Sequence, residues 1–205
     1  MLHDPLGRRQ LLQGLPLGLA ALWLGACGAQ AAVSADAARQ MIQDVGVQVL
    51  AVLRDPALDN QQKFDRLVAL LDGPIDLDII ARLILGRHWR SASEAQQVEY
   101  LQLFRSFALD NLASRLHVYD GQDFEIVGAQ AVNERDAVVA TRVTGGGRPV
   151  LKVDWRVREL DDGDLVAIDV IVEGISLIVT QRSEFSSVIE RRGMDGLLAE
   201  LRQRV

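Results

Sequence analysis

The sequence predicts an α+β fold in which helices pack on one face of a curved antiparallel sheet of about four strands and enclose a cone-like hydrophobic pocket. Apolar residues recur at helical spacing from about residue 34 to residue 119. From about residue 124 to residue 172 they favour every second position, and helical spacing then returns. Helices and strands that come in separate runs, with short turns between the strands, are typical of this class.

The composition indicates one globular domain and argues against a nucleic-acid-binding protein. Of the 205 residues, 49% are hydrophobic and 24% are charged, which provides enough apolar material for a single core. The formal net charge is −6, and the Lys and Arg residues form no basic stripe. Because contacts to phosphates need clustered Lys and Arg, we expect no nucleic-acid partner.

Residues 1–32 have the pattern of an export signal, so we expect a single domain over residues 33–205. Arg8 and Arg9 precede an uncharged apolar run over residues 11–26, and small residues follow that run. The pair of arginines resembles a twin-arginine export signal, and an ordinary secretory signal fits the same pattern.

Cys27 is the only cysteine of the chain, and two fates are open to it. Residues 24–27 resemble a bacterial lipobox, in which the cysteine is lipidated and becomes the new N-terminus. Cleavage after Ala31 or Ala32 would instead remove Cys27 with the signal. In both cases the mature domain has no disulfide, so packing alone must hold it together.

Four helices are predicted before the sheet, and three of them begin at a capping signal. Ser34 is placed to cap the first helix and Asp76 the third. Ser93 with Gln96 forms a capping box at the start of the fourth. The predicted ranges are 34–53, 60–71, 76–85 and 93–119.

Four strands follow, and the last two differ in how many of their faces are apolar. Over residues 151–158 apolar residues alternate with charged ones, which predicts one buried and one solvated face. The strand over 165–172 is apolar at nearly every position apart from Asp169. The first two strands are predicted over 124–128 and 137–143, and the two final helices over 175–191 and 194–202.

No set of residues predicts catalysis, metal binding or a cofactor. His88 and His117 have no Cys, His or paired carboxylate at the spacing of metal ligands. The three glycines at 145–147 lead into a strand and lack the Lys and Ser or Thr of a phosphate-binding loop. We therefore expect no catalytic residue, no metal and no cofactor.

Apolar residues are in surplus where the last strand meets the following helix. The strand over 165–172 is apolar on both faces, and it continues through Glu173 and Gly174 into an apolar helix. The short helix over 76–85 is also apolar on more than one face. The long helices can cover one face of a four-stranded sheet, so the remaining apolar surface indicates an internal cavity for an apolar ligand.

Several motifs resemble the Ttg2D/MlaC family of toluene-tolerance proteins, and together they cover roughly residues 35–203. They are Gly-Arg-His-Trp at 86–89, Ser-Glu-Ala-Gln at 93–96 with Phe104, and the block over 170–185 that contains Glu-Gly-Ile-Ser and Gln-Arg-Ser. The members of this family are periplasmic phospholipid-binding proteins without enzymatic activity. The resemblance therefore implies a phospholipid cargo held by its acyl chains between sheet and helices.

The resemblance also implies partners. A protein of this family carries lipid between an outer-membrane lipoprotein–porin complex and an inner-membrane ABC transporter complex, which maintains the lipid asymmetry of the outer membrane. From the resemblance we expect a periplasmic location, with the chain either free or tethered to a membrane through Cys27.

The pattern and the resemblance together predict which residues form the pocket. Glu173 and Arg182 are placed to form an ion pair that pins the strand to the following helix, a role that we favour over contact with the lipid headgroup. Gly174 is expected to permit a sharp turn between the strand and the helix. The predicted wall of the lipid pocket consists of Leu83, Phe104, Phe107, Val153, Trp155, Val170, Val172, Leu177 and Phe185.

The sequence is also compatible with two other classes of function. A small-molecule isomerase or hydratase on a cone-shaped α+β scaffold would need a catalytic residue in the pocket, and Asp169 is the strand carboxylate that lies between apolar neighbours. A structural lipoprotein or adaptor would have a filled core and would carry no lipid.

Overall fold

The computed structural model describes residues 33–116 and 119–205, which form six helices and one five-stranded antiparallel sheet. This architecture confirms the predicted α+β class. The expected export signal with Cys27, and also His117, lie outside the described residues. The elements in chain order are α1 (Ala35–Arg54), α2 (Asn60–Leu71), α3 (Leu77–Leu85), α4 (Arg87–Ser91), α5 (Glu94–Leu116), β1 (Asp123–Ala131), β2 (Asp136–Thr144), β3 (Leu151–Glu159), β4 (Leu165–Val172), β5 (Ile175–Ser176) and α6 (Leu177–Arg204).

The helices begin where the capping signals predict. The Ser34 hydroxyl accepts a hydrogen bond from a backbone amide in the first turn of α1, and the Asp76 carboxylate does the same for α3. At the start of α5, the Ser93 amide donates to Gln96 Oε1 at 3.0 Å, and the Gln96 amide donates to Ser93 Oγ at 3.3 Å. These reciprocal bonds are the expected capping box.

The sheet is an open meander in the order β1-β2-β3-β4-β5 with antiparallel neighbours throughout. Its register places alternate side chains on a common inner face. Val139 of β2 pairs with Trp155 of β3, and Trp155 pairs with Val170 of β4. Bulges at Val127 and Ile168 shift the register of β1 and β4, and such bulges increase the local twist that curves a sheet.

Helix α1 lies across β1 and β2 and forms the first of two hydrophobic clusters. The helix comes close to the sheet because Gly46 has no side chain there. A Cβ atom at Gly46 would lie 2.1 Å from Cζ of Phe124. We call this first group the sheet cluster; its buried members are Val33, Ala38, Ile42, Ala137, Val139, Val157 and Ala167.

The second cluster, which we call the helix cluster, lies between α3, α5 and α6. Tyr100 is completely buried there, and its hydroxyl donates a hydrogen bond of 3.0 Å to the carbonyl oxygen of Ala81. Burial raises the pKa of Tyr100. The other buried members of the helix cluster are Ala81, Ile84, Leu85, Phe104, Ile178, Phe185, Val188, Leu197, Leu198 and Leu201.

Two short elements, α4 and β5, were not predicted from the sequence. Strand β5 exists because Glu173 and Gly174 form a two-residue turn with φ of 49° and 82°, which pairs Val172 with Ile175. Positive φ at both central residues is typical of the turns that match the twist of a hairpin. The turn predicted at Gly174 is therefore present, although it joins two strands before the helix begins.

The C-terminal segment was predicted to form two separate helices, over residues 175–191 and 194–202. The segment Leu177–Arg204 forms one helical run that is interrupted at Gly193, where φ is 71°. The two helices predicted around this position are thus separated by a break of one residue.

Candidate functional site

A cleft lies between α2, α5 and the start of α3. Its inner part is a cavity of about 150 Å³ with an almost entirely apolar lining. Helix α2 contributes Val68 and Leu71, while α5 contributes Ala108, Leu109 and Leu112. Residues three or four positions apart share one face of a helix, so both helices present an apolar stripe to this cavity.

The adjoining part of the cleft, which we call the mouth, is charged. It forms a cavity of about 280 Å³. Four residues line both the inner cavity and the mouth, so the two parts are continuous. The shared residues are Asp72, Ile75, Leu77 and Arg105, and the mouth is further lined by Gly73, Asp76 and Asp78.

The cleft lies at the junction of the two hydrophobic clusters. Ile75 packs against the sheet cluster and forms a bridge to Ala167 of β4, while Leu77 and Ala108 pack against the helix cluster. An apolar molecule that entered the cleft would therefore reach the boundary between the sheet and the helices, which is where the resemblance places acyl chains.

Arg105 and Asp72 form an ion pair across the mouth. The distance from Arg105 Nη2 to Asp72 Oδ1 is 3.5 Å, and the two side chains are 50% and 70% exposed. An exposed pair of this kind contributes at most about 1 kcal/mol to stability. Asp76 is more firmly held, since it accepts a hydrogen bond of 2.8 Å from the Ile79 amide.

Four of the five predicted wall residues on the helices belong to or pack against the helix cluster. Phe104 and Phe185 are buried, and Phe107 and Leu83 pack against the same cluster. The Phe107 ring centroid is 6.2 Å from that of Phe104 and 6.4 Å from that of Phe185. The Arg204 guanidinium lies over the Phe107 ring at 5.9 Å.

The predicted wall residues on the sheet lie on its inner face. Val153 pairs with Val172, and Trp155 pairs with Val170, so the register brings these four side chains together. The indole N–H of Trp155 donates to Thr141 Oγ1 at 3.2 Å.

Leu177, at the start of α6, is 46% exposed. None of the nine predicted wall residues lines the inner cavity or the mouth. Of the nine, four belong to or pack against the helix cluster, and Trp155 packs against the sheet cluster. The contact of all nine with a lipid stays a prediction.

The expected ion pair between Glu173 and Arg182 is not formed, because each side chain has another partner. Glu173 Oε1 accepts a hydrogen bond of 2.7 Å from the Lys152 amide, which joins the turn to β3. The Arg182 guanidinium donates to the Leu83 carbonyl oxygen at 3.0 Å from Nε and 2.5 Å from Nη2. Arg182 therefore pins α6 to the end of α3 rather than to the preceding strand.

Asp169 binds the start of α6. Its Oδ2 accepts a hydrogen bond of 2.5 Å from the Ser176 hydroxyl, and its Oδ1 accepts one of 3.1 Å from the Ile178 amide. A carboxylate near a helix N-terminus is favoured by the free amides and the helix dipole. These bonds give Asp169 a structural role, and no observation on the described residues favours its use as a catalytic base.

The lining of the cleft was missed by reasoning from the sequence, although part of its signal is present there. The apolar stripe of α5 is too wide for one interface, because Phe104 faces the helix cluster while Leu109 and Leu112 line the cavity. That width indicates two contact surfaces on one helix. The charged residues of the mouth have no such signal, since Asp72 and Arg105 are 33 positions apart and meet only in the fold.

Residues 33–116 and 119–205 contain neither a metal-binding cluster nor a helix that could span a membrane. No group of three His, Cys, Asp or Glu side chains in these ranges is placed to hold a metal ion. None of the helices described here is long and apolar enough to cross a membrane.

The chain is similar to proteins of one family. The family model described as MlaC protein matches residues 43–203. This range includes α2 and α5, which line the cleft, and all five strands. The toluene tolerance protein Ttg2D of Pseudomonas putida is 26% identical over 133 residues, or 64% of this chain. The matched region spans 61% of the length of that relative.

A solved structure has a similar fold. It is the structure of a phospholipid-binding protein from Ralstonia solanacearum in complex with a phospholipid. The two folds superpose with a TM-score of 0.72 and 25% sequence identity, over 82% of this chain and 96% of the other.

Proposed function

The chain belongs to the MlaC family, and from that membership we propose that it binds a phospholipid and carries it through the periplasm. The observation that carries the proposal is the likeness to a phospholipid complex over 82% of the chain, combined with an apolar cleft between the two clusters. Burial of acyl chains is favourable by about 0.8 kcal/mol per CH₂ group, which makes a soluble lipid carrier energetically reasonable.

The inner cavity must widen to hold two acyl chains. Its volume of about 150 Å³ is below the ~300–1,000 Å³ of typical ligand pockets. Leu67 is the only fully buried residue of α2. Of the helices that line the cleft, α2 is therefore the one packed least against the rest of the protein. We infer that α2 moves away from α5 as the chains enter, and that the predicted wall residues on the sheet and helices then contact the lipid.

We further propose where the protein works and with which partners. Its lipid would come from an outer-membrane lipoprotein–porin complex and pass to an inner-membrane ABC transporter complex, or move in the opposite direction. This exchange would maintain the lipid asymmetry of the outer membrane and thereby tolerance to toluene. The expected export signal supports a periplasmic location, and the mass of the mature protein would show whether Cys27 is retained and lipidated.

We propose no enzymatic activity for the chain. The relative from Pseudomonas putida is named for toluene tolerance, and the solved neighbour is named for phospholipid binding. The carboxylate that the enzyme alternative requires, Asp169, is engaged by Ser176 and Ile178 at the start of α6.

Transfer of lipid between vesicles tests the carrier function. Donor vesicles contain a self-quenched fluorescent phospholipid, acceptor vesicles contain none, and the protein is added in catalytic amount. We expect the rate of dequenching to rise in proportion to protein concentration and a fluorescent lipid–protein complex to be isolated by gel filtration. A rate equal to that with an unrelated acidic protein would contradict carriage.

A further inference from the structure

Two turns and the start of α6 expose apolar side chains at one end of the sheet. Strands β2 and β4 both run antiparallel to β3, so the turns that follow them project from the same end. Half of the large hydrophobic side chains that are exposed in residues 33–116 and 119–205 lie here, each between 40% and 62% exposed. We call this group the tip patch; its members are Val150, Leu151, Ile175, Leu177 and Val179.

The strand register brings the tip patch together. Leu151 and Val153 are two positions apart on β3 and therefore point to the same face of the sheet. Val153 pairs with Val172, and Val172 pairs with Ile175, so Ile175 lies two strands, or about 10 Å, from β3. The Glu173 amide donates to the carbonyl oxygen of Lys152 at 3.0 Å, which holds the second turn beside the first.

The same end of the sheet carries cations without ion-pair partners. Arg148 lies two positions before Val150, and Arg142 of β2 pairs with Lys152 of β3. All three cationic side chains are exposed, and none of them forms an ion pair within the described part of the chain. The apolar tips are therefore flanked by free positive charge.

This local charge is opposite in sign to the net charge of the chain, which is −6. Two carboxylates at this end already have partners. Glu173 Oε1 accepts a hydrogen bond of 2.7 Å from the Lys152 amide, and Asp123 is paired with Arg54 at 3.2 Å. A charge distribution of this kind attracts an anionic partner and turns the tip patch towards it.

The size of the tip patch favours a bilayer over a folded protein as that partner. Its exposed area is on the order of 400 Å², which is typical of functional surface patches. A stable protein–protein interface takes ~800 Å² from each partner. A bilayer needs no matching shape, because apolar side chains enter the boundary between headgroups and acyl chains while Arg and Lys contact the phosphates.

We propose that the tip patch docks the protein on the surface of an anionic bilayer. Val150 and Ile175, which lie at two different turns, enter the boundary between headgroups and acyl chains. Arg148 and Lys152 extend to the level of the lipid phosphates. The inference goes beyond the proposed function, since it concerns how the protein meets a membrane and not which lipid it carries.

Flotation with vesicles tests the docking surface. The protein is residues 33–205, the chain that cleavage after Ala32 would leave, so that neither the export signal nor Cys27 contributes. We expect it to float with vesicles of equal parts phosphatidylglycerol and phosphatidylcholine, and about fivefold less with vesicles of phosphatidylcholine alone. Binding should weaken as the salt concentration rises, because salt screens exposed charges.

Two double variants separate the apolar from the charged contribution. Val150→Ser with Ile175→Ser should reduce flotation with the anionic vesicles about fivefold, because the apolar contact is lost. Arg148→Gln with Lys152→Gln should reduce it by a similar factor and should also remove most of its salt dependence. Leu177 is left unchanged in both variants because it is a predicted wall residue of the lipid pocket.

Matched controls replace exposed residues away from this end of the sheet. Val98→Ser with Val132→Ser removes two exposed valines of similar accessibility, and Arg39→Gln with Arg90→Gln removes two exposed cations. Both controls should float as the wild type does. A loss of flotation in either control equal to that of its partner variant would overturn the assignment to the tip patch.

A fluorescent label reports contact with the bilayer at a single position. Cys27 is the only cysteine of the chain, so a cysteine introduced into residues 33–205 is labelled uniquely. An environment-sensitive dye on Ile175→Cys should shift its emission to the blue when anionic vesicles are added, and the same dye on Val132→Cys should not. Equal shifts at the two positions would contradict docking through the tip patch.

Bound phospholipid per chain and gel filtration of the same proteins distinguish the remaining outcomes. A wild type that does not float with anionic vesicles overturns docking, whether or not it holds a lipid. If Val150→Ser with Ile175→Ser loses its bound lipid as well, the tip patch belongs to the lipid site and docking is overturned. A dimer that this double variant dissolves would assign the tip patch to a second copy instead. A protein that floats but holds no lipid supports docking and contradicts the proposed function.

Discussion

At the scale of single residues, the turn between β4 and β5 depends on backbone conformation alone. Gly174 has a φ of 82°, and no atom outside its immediate neighbours lies within 4 Å of where its Cβ would be. We therefore expect Gly174→Ala to lower the free energy of unfolding by about 1–2 kcal/mol through the disfavoured left-handed conformation. Urea denaturation measures this change.

Gly128 provides the control for Gly174→Ala. It also has open space around its Cβ position, but its φ lies outside the left-handed region. Gly128→Ala should change stability by less than about 0.5 kcal/mol. Equal losses in the two variants would show that backbone strain is not the cause.

Asp136 is the buried carboxylate on which the stability of the sheet at neutral pH depends. It is 1% exposed, and the Arg158 side chain donates to both of its oxygens, at 2.6 Å and 2.9 Å. Burial opposes its ionisation, but hydrogen bonds from Arg158, Asn133 and Arg156 outweigh burial and hold the pKa of Asp136 well below its usual range.

The lowered pKa of Asp136 predicts an acid-sensitive contribution to stability. A carboxyl whose folded pKa lies below its unfolded value of about 3.9 stabilises the fold above that pH and loses this effect as the pH falls. Asp136→Asn should cost about 2–4 kcal/mol at pH 7, and the difference from wild type should shrink below about pH 4. Thermal denaturation across pH measures the stability of the wild type and of the variant. A stability difference that stays constant with pH would contradict the assignment. Asp161→Asn is the control, because Asp161 forms an exposed ion pair with Arg135.

At the scale of elements, the contact between α1 and β1 limits which residue position 46 accepts. Alanine is preferred to glycine in a helix by about 1 kcal/mol, yet a Cβ at Gly46 would lie 2.1 Å from the Phe124 ring. We expect Gly46→Ala to be destabilising by about 1–2 kcal/mol, because overpacking exceeds the gain in helix propensity.

A second substitution separates the effect of overpacking from that of helix propensity at this contact. Phe124→Leu removes the ring, so the double variant Gly46→Ala with Phe124→Leu should be more stable than the sum of the single changes predicts. Chemical denaturation of all four proteins gives the coupling energy. A coupling energy of zero would show that the ring does not set the limit at position 46.

The starts of the longer helices follow from local sequence signals, whereas strand β5 has no such signal. Ser34, Asp76 and the Ser93–Gln96 box begin helices because their side chains bind amides within three residues. Strand β5 depends instead on a non-glycine residue, Glu173, in a left-handed conformation that the Lys152 backbone supports. Such support comes from a distant strand and has no local pattern.

At the scale of the whole molecule, the cleft exists because the hydrophobic side chains divide into two clusters. Phe104 of α5 and Val153 of β3 lie on the apolar faces that periodicity predicts, and both are buried. Periodicity did not predict that α5 would contact one cluster with one face and line a cavity with another. The position of the cleft depends on how α2 and α3 pack against α5, which only tertiary contacts determine.

Filling the inner cavity should prevent lipid binding without loss of the fold. Leu109 lines the cavity on α5, so Leu109→Trp places a large ring where we propose an acyl chain lies. Val98 lies on the same helix and is 57% exposed, which makes Val98→Trp the matched control. Bound lipid per chain, measured by phosphorus assay, should fall at least fivefold in Leu109→Trp alone; unchanged binding in a folded variant would place the chains elsewhere.

Lipid identification in the protein purified from a bacterial envelope tests the central claim most directly. Native mass spectrometry measures the mass of the intact complex, and extraction identifies what is bound. The account predicts about one diacyl phospholipid per chain, released when the protein is unfolded. A mass equal to that of the chain alone, together with no displacement of a fluorescent phospholipid by added lipid, would contradict it.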